Sequence, residues 1–165
     1  MNLGLIMKLL HVLSAFWFIS GIVARDFAFW QAARLTNVQA VHSLLQVSDF
    51  FERWAVIFGG LLVVVFGLLA AWLQGWPVFG VFQGATSNWL LVSLVMYFGG
   101  TLVISPLGLL RRRQQRAAAV EDALTQGHIT SELTAALHDK IVNRFRAVEL
   151  MLLVVIIVLM VTKPF

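Results

Sequence analysis

Four solidly apolar runs dominate the chain, at residues 3–24, 54–73, 89–110 and 147–162, with polar stretches between them. A helix needs about 20 mainly apolar residues to cross the hydrocarbon of a bilayer, at a rise of about 1.5 Å per residue. The runs are near that length, so the pattern predicts four transmembrane helices. A transmembrane β-barrel would show alternation in segments of about 10 residues, and these runs do not alternate. The second run carries no charge, the first contains Lys8 and His11, and the fourth has Glu149 in its first turn. The first run is longer than the apolar stretch of a signal peptide and has no basic start before Lys8, so it reads as a span that is kept.

Each run carries a stripe of small and polar residues at helical spacing, the side on which membrane helices associate. The stripes are Lys8, His11, Ser14, Phe18, Gly21 and Arg25 in the first run, and Gly60, Val63, Gly67 and Ala71 in the second. In the third they are Ser93, Met96 or Tyr97, and Gly100, with Thr101 beside them. In the fourth they are Arg146, Glu149, Leu153, Ile156, Met160 and Lys163. The expected fold is all-α, a transmembrane four-helix bundle with short cytoplasmic helices, in a single membrane domain over residues 1–165. Pro106 should kink the third helix. The connections 25–53 and 111–146 are expected to be helical. Thr36-Asn37-Val38-Gln39 reads as a capping box, and Asp49 with Glu52 as a second start signal opening the second span. Gly127 should end a helix continued from the third span. A further amphipathic helix from Thr130 or Ser131 should bury Leu133, Leu137 and Ile141.

Composition sharpens the class. Of the 165 residues, 60% are hydrophobic and 12% charged, against about 45–50% and about 25% in a soluble domain. So little charge cannot clothe a water-facing surface, and disorder needs the opposite balance. With no cysteine there is no disulfide, thiolate metal site or iron–sulfur cluster. Ten of the twelve Lys and Arg fall in or at the edges of the first and third connections, and none in the second, residues 74–88. The positive-inside rule then places both termini outside and the two long connections in the cytoplasm of a bacterial-type plasma membrane. Because the charges sit at the ends of apolar runs, the basic balance is no nucleic-acid signal. The expected partners are the lipid bilayer and, beyond it, a homo-oligomer or a larger membrane complex. Trp72, Trp76 and Trp89 around the outer connection fit an interfacial aromatic belt, and Arg111-Arg112-Arg113 a translocation stop that meets anionic headgroups.

An ionisable residue inside a membrane is a functional hypothesis by default. His11 lies about 12 Å below the start of its helix, counted at 1.5 Å per residue. Met96, Tyr97 and Gly67 share nearly that depth. Imidazole ligates haem iron and copper, with methionine as a second axial ligand. His11 therefore reads as an axial ligand paired with Met96, as a copper or proton-transfer residue, or as a structural histidine bonded to Tyr97 or a carbonyl. In the haem reading, Gly67 would let a flat macrocycle approach the backbone. Glu149 needs a cation, so a structural ion pair with Arg25 or Arg146 is expected, with proton relay as the sharper alternative. His42, His128 and His138 lack metal-ligand spacing. No Gly-rich phosphate loop, serine nucleophile motif or HExxH is present.

Lys8-Leu-Leu-His11, Gly21 and Arg25, with Arg144-Phe-Arg146-Ala-Val-Glu149, an apolar run and Lys163-Pro164-Phe165 at the other end, form a layout that resembles the HemJ/CopD-like small membrane proteins. It resembles most an uncharacterised family of predicted integral membrane proteins related to them. The first-span histidine of HemJ, a haem-associated protoporphyrinogen oxidase, matches His11, so the resemblance implies haem b at His11. A Trp-Leu-x-x-Lys pattern of HemJ stands here as Trp89-Leu90-Leu91-Val92-Ser93, without the lysine, and a third-span histidine is absent. The resemblance thus implies a haem or redox membrane subunit rather than protoporphyrinogen oxidation. The alternative is a non-catalytic subunit or scaffold of a larger membrane complex, with no cofactor.

Overall fold

The computed structural model describes residues 2–86, 88–100 and 105–163, with 105–108 as backbone alone. It is helical throughout, with no strand among the described residues. The helices are α1 (Leu3–Ala32), α2 (Val38–Phe51), α3 (Gly59–Leu73), α4 (Trp89–Phe98), α5 (Ser105–Gln126), α6 (Ser131–Leu137) and α7 (Lys140–Thr162). A π-helical segment, Glu52–Phe58, joins α2 to α3 without a break, and a 3₁₀ turn, Gly80–Gln83, lies ahead of α4. Three helical stretches are long and apolar enough to cross a membrane: Leu3–Ala32, Val38–Leu73 and Ser131–Thr162. Trp89–Phe98 is apolar but shorter. The rest of the third predicted span runs into residues 101–104, Thr101 among them, which lie outside the described residues, as does the stretch just before Pro106.

The chain forms two compact units. The first comprises Met1–Trp76 and Ala119–Leu137, the second Pro77–Ala118 and His138–Phe165. The first unit is built on an antiparallel hairpin of α1 with the continuous helix from Val38 to Leu73. Asn2 starts α1 by accepting from the Gly4 amide at 3.0 Å, and Asn37 starts α2 by accepting from Ala40 at 3.0 Å. The cap is therefore Asn37 rather than Thr36, the first residue of the expected capping box. At 30 residues, α1 is about 45 Å long, well past the end expected at Ala24. No glycine or proline interrupts residues 22–32, and Arg25 finds carboxylates that let the helix continue.

The hairpin seam repeats every seven residues along α1, as a coiled-coil seam does. Gly4 meets Leu73, His11 meets Gly67, Phe18 meets Gly59 and Arg25 meets Glu52, with Gly21 on Ala55 between the last two. A Cβ on Gly21 would overlap that of Ala55, so the two backbones touch as closely as small residues allow. Ser14, Phe18, Gly21 and Arg25 are buried as the stripe predicts, but Lys8 is exposed. It lies one residue past Met7, off the line through Gly4, His11 and Phe18.

The expected second start at Asp49 and Glu52 is also corrected. The helix passes straight through these residues, because Glu52 turns to Arg25 instead of back to the helix start. The π segment begins there. Its turns take up more residues than α turns, which keeps Ala55 and Gly59, four apart, on the side facing α1.

Past the hairpin turn, Phe29, Ala32, Val38, Val41 and Leu45 close a core with Val120, Ala123, Leu133 and Leu137. The two polar connections thus hold a packed core between them. Gly127, at φ +73°, follows the end of α5, and Thr130 Oγ1 accepts from the Leu133 amide at 3.2 Å to start α6. Leu133 and Leu137 are buried as expected. Ile141 is not, being 41% exposed, because α6 stops at Leu137 and Asp139 caps a new helix.

In the second unit α4 and α7 run antiparallel. Gly100 faces Leu152, and Lys163 lies over the Trp89 ring at 5.5 Å. Ser93 is buried and donates to Trp89 O at 2.8 Å. Leu153, Ile156 and Met160 are half-buried, as their stripe predicts.

Candidate functional site

On the seam of the first unit α1 places His11 and, fourteen residues further on, Arg25. His11 is half-buried on α1. Its Nδ1 lies 2.8 Å from Val63 O on α3. A carbonyl can only accept, so Nδ1 carries a proton, and in the neutral form of the ring Nε2 is the lone-pair nitrogen. The ring fits because residue 67 is glycine: a Cβ there would sit 2.8 Å from Nδ1 and 2.9 Å from Cε1. This corrects the role expected of Gly67. Its open face is filled by the imidazole itself and is not free for a macrocycle. Of the bonding partners expected for a structural His11, the structure gives a backbone carbonyl, and it belongs to the second helix.

At the other end Arg25 is 6% exposed. Its Nε donates to Asp26 at 2.9 Å and its Nη1 to Glu52 at 2.7 Å. The Arg25 carbonyl accepts from the buried Ser48 hydroxyl at 3.1 Å. Two carboxylates around one guanidinium make a closed ionic cluster, the arrangement a buried charge requires. Asp26 and Glu52 were not among the predicted site residues. The signal was present, because Arg25 ends one apolar run and Glu52 precedes the next, at the same membrane boundary. The cap reading of Asp49 and Glu52 hid it.

The other predicted residues lie in the second unit. Met96 is half-buried on α4, and Arg146 and Glu149 are half-buried on α7, one turn apart. The pairing of Glu149 with Arg25 or Arg146 stands as an expectation from the sequence. Further along, Asp139 caps α7 by accepting from the Ile141 amide at 2.8 Å and takes Arg112 as its ion-pair partner. Burial pushes its carboxyl pKa up, but the Ile141 and Arg112 hydrogen bonds and the Arg112 charge outweigh that and hold it below the ordinary value.

Among the described residues no group of three or more His, Asp or Glu side chains is gathered as a metal-ion site. What the described residues place at His11 is one imidazole whose Nδ1 is bonded to a backbone carbonyl. In metal-ligating histidines generally, a bond from the other ring nitrogen to a carbonyl is what orients the ring.

The chain belongs to the family of predicted integral membrane proteins designated DUF2269, which it matches over residues 5–164. It is therefore an integral membrane protein, and the family's description assigns no cofactor or activity. Comparisons with curated proteins and with solved structures gave no match.

Proposed function

We propose that this protein is a b-type haem-binding membrane subunit of redox character, in which His11 would hold the group through Nε2. The observation that carries the reading is the 2.8 Å contact between His11 Nδ1 and Val63 O, over a glycine that admits the ring. It fixes the tautomer, aligns the imidazole against α3 and leaves a basic nitrogen where apolar surroundings offer few donors. A haem held there would supply one-electron transfer. What the chain itself does is hold the ring rigidly and polarise it through the Val63 carbonyl, which raises the basicity of Nε2. On the sequence argument of equal depth alone, Met96 would be the second residue to hold the group. A thioether in place of a second histidine would raise the midpoint potential. The basic residues flanking the spans support an orientation with both termini outside, as in a bacterial-type plasma membrane.

The test is the visible spectrum of the purified protein in detergent. A Soret band with reducible α and β bands, lost in His11→Ala and shifted in Met96→Leu, is the expected result. A colourless wild type that copurifies with other chains overturns the proposal and leaves the non-catalytic subunit reading in its place.

A further inference from the structure

Residues 77–88 connect two apolar helices, and a connection of this kind ordinarily meets water with a polar or charged tip. This one does the reverse. From residue 54 to residue 110 the sequence contains no Asp, Glu, Lys, Arg or His. Within the connection Phe79 is 56% exposed, Val81 57% and Phe82 82%, three apolar side chains pointing outward within four residues.

The backbone beneath them is ordered and has its own hydrogen bonds. The Phe79 amide donates to Gln83 Oε1 at 3.1 Å, and the Val81 amide to Asn88 Oδ1 at 2.9 Å. The amides of Gly80, Phe82, Gly84 and Ala85 donate to the carbonyls of Pro77, Phe79, Val81 and Gly80. Gly84, at φ +72°, supplies the left-handed residue that closes the 3₁₀ turn. Two polar side chains of the connection, Gln83 and Asn88, thus accept from its own amides, while Phe79, Val81 and Phe82 are exposed. Apolar surroundings demand this inversion, because an unpaired amide away from water is costly.

We propose that residues 79–82 are an interfacial membrane anchor. Phe79, Val81 and Phe82 insert into the headgroup–acyl boundary of the leaflet at this end of the protein, and the partner of the surface is lipid. Aromatic side chains favour that layer. Gln83 and Asn88, bonded to the Phe79 and Val81 amides, let the turn enter it with those two donors satisfied. A turn is too irregular to enter the hydrocarbon centre, so the depth is that of a surface-lying amphipathic element, roughly 5–10 Å.

The chain has no cysteine, so single cysteines carrying a nitroxide can be placed at Val81, at Phe82 and, as a water-facing reference, at exposed Thr86. The full-length protein in phosphatidylcholine–phosphatidylglycerol vesicles is then measured by power-saturation EPR with oxygen and with a water-soluble nickel chelate. All three side chains are exposed, so the labels disturb no packing. The expected result is an oxygen-to-nickel accessibility ratio several-fold higher at 81 and 82 than at 86. Nickel access at 81 and 82 equal to that at 86 makes the connection an aqueous loop and overturns the proposal. Exclusion of both reagents means that protein, another chain or a second copy, covers the surface, and overturns it equally.

Discussion

The two ends of the α1–α3 seam solve the same problem in different ways. At the Arg25 end a full charge is brought between helices, and all of the described geometry is directed at neutralising it with Asp26, Glu52 and the Ser48 bond to the backbone. At the His11 end a neutral ring makes one bond to a carbonyl and fills the place of a missing side chain. The difference lies in what is left over. A guanidinium between two carboxylates has no remaining acid–base or ligand chemistry at ordinary pH, because arginine does not give up its proton. An imidazole with one nitrogen committed still has a lone pair on the other. Polar residues of one stripe, which the sequence presents as equivalent, thus separate into a fastener and a candidate ligand.

The sharpest way to break this contrast is to remove one carboxylate. Glu52→Ala takes one of the described carboxylates away from Arg25 in a nearly closed site, and such a loss costs roughly 3–5 kcal/mol. Thermal unfolding in detergent should show a large drop in midpoint, with any pigment spectrum unchanged in the fraction that stays folded. If Glu52→Ala costs no more than His11→Ala, which removes one hydrogen bond worth about 1 kcal/mol, the two ends are not different in kind. A smaller effect is expected from Gly67→Ala. The new methyl group meets the imidazole at contact distances of 2.8–2.9 Å, and overpacking of this sort costs about 1–3 kcal/mol. The ring must move, so the bond to Val63 O should lengthen and any haem spectrum should shift. A wild-type spectrum in Gly67→Ala would show that the ring position does not matter.

The smallest effect sharpens the contrast from outside the seam. Asp139 is also an anion paired with arginine, but its side chain is 20% exposed and that of Arg112 32%, so water shares the work. Asp139→Ala should cost about 1 kcal/mol, the worth of a helix cap. Because its folded-state pKa is lowered, its contribution is complete at neutral pH. It is lost as pH falls below about 4, the ordinary carboxylate value, through the folded one. Detergent unfolding midpoints of wild type and Asp139→Ala should differ at pH 7 and converge at strongly acid pH.

Helix positions and the small-residue stripes were legible in the sequence because lipid removes most alternatives to a helix and close packing selects small side chains. Ser14, Phe18, Gly21, Gly60 and Ala71 needed nothing more. What pattern could not supply was the partner of each polar group. Asp49 and Glu52 have cap spacing, and only the geometry shows that Glu52 bonds to a residue 27 positions earlier. His11 could be placed by depth, but which nitrogen is committed depends on the Val63 carbonyl, and a carbonyl has no signature in a sequence. The same holds for Ile141, whose four-residue spacing from Leu137 fits a helix that in fact stops between them.

The core beyond the hairpin turn has a consequence for the order of synthesis. Val38, Val41 and Leu45 are covered in part by Leu133 and Leu137, which leave the ribosome nearly ninety residues later. At roughly 5–20 residues per second, that interval is on the order of ten seconds. Throughout it the first helical pair is already made, while the apolar face at its polar end has no cover. A nascent chain truncated before residue 119 should therefore expose a site that chaperones or the membrane surface must hold. Residues 119–137 act as the late-arriving cover that completes a unit begun at the first helix.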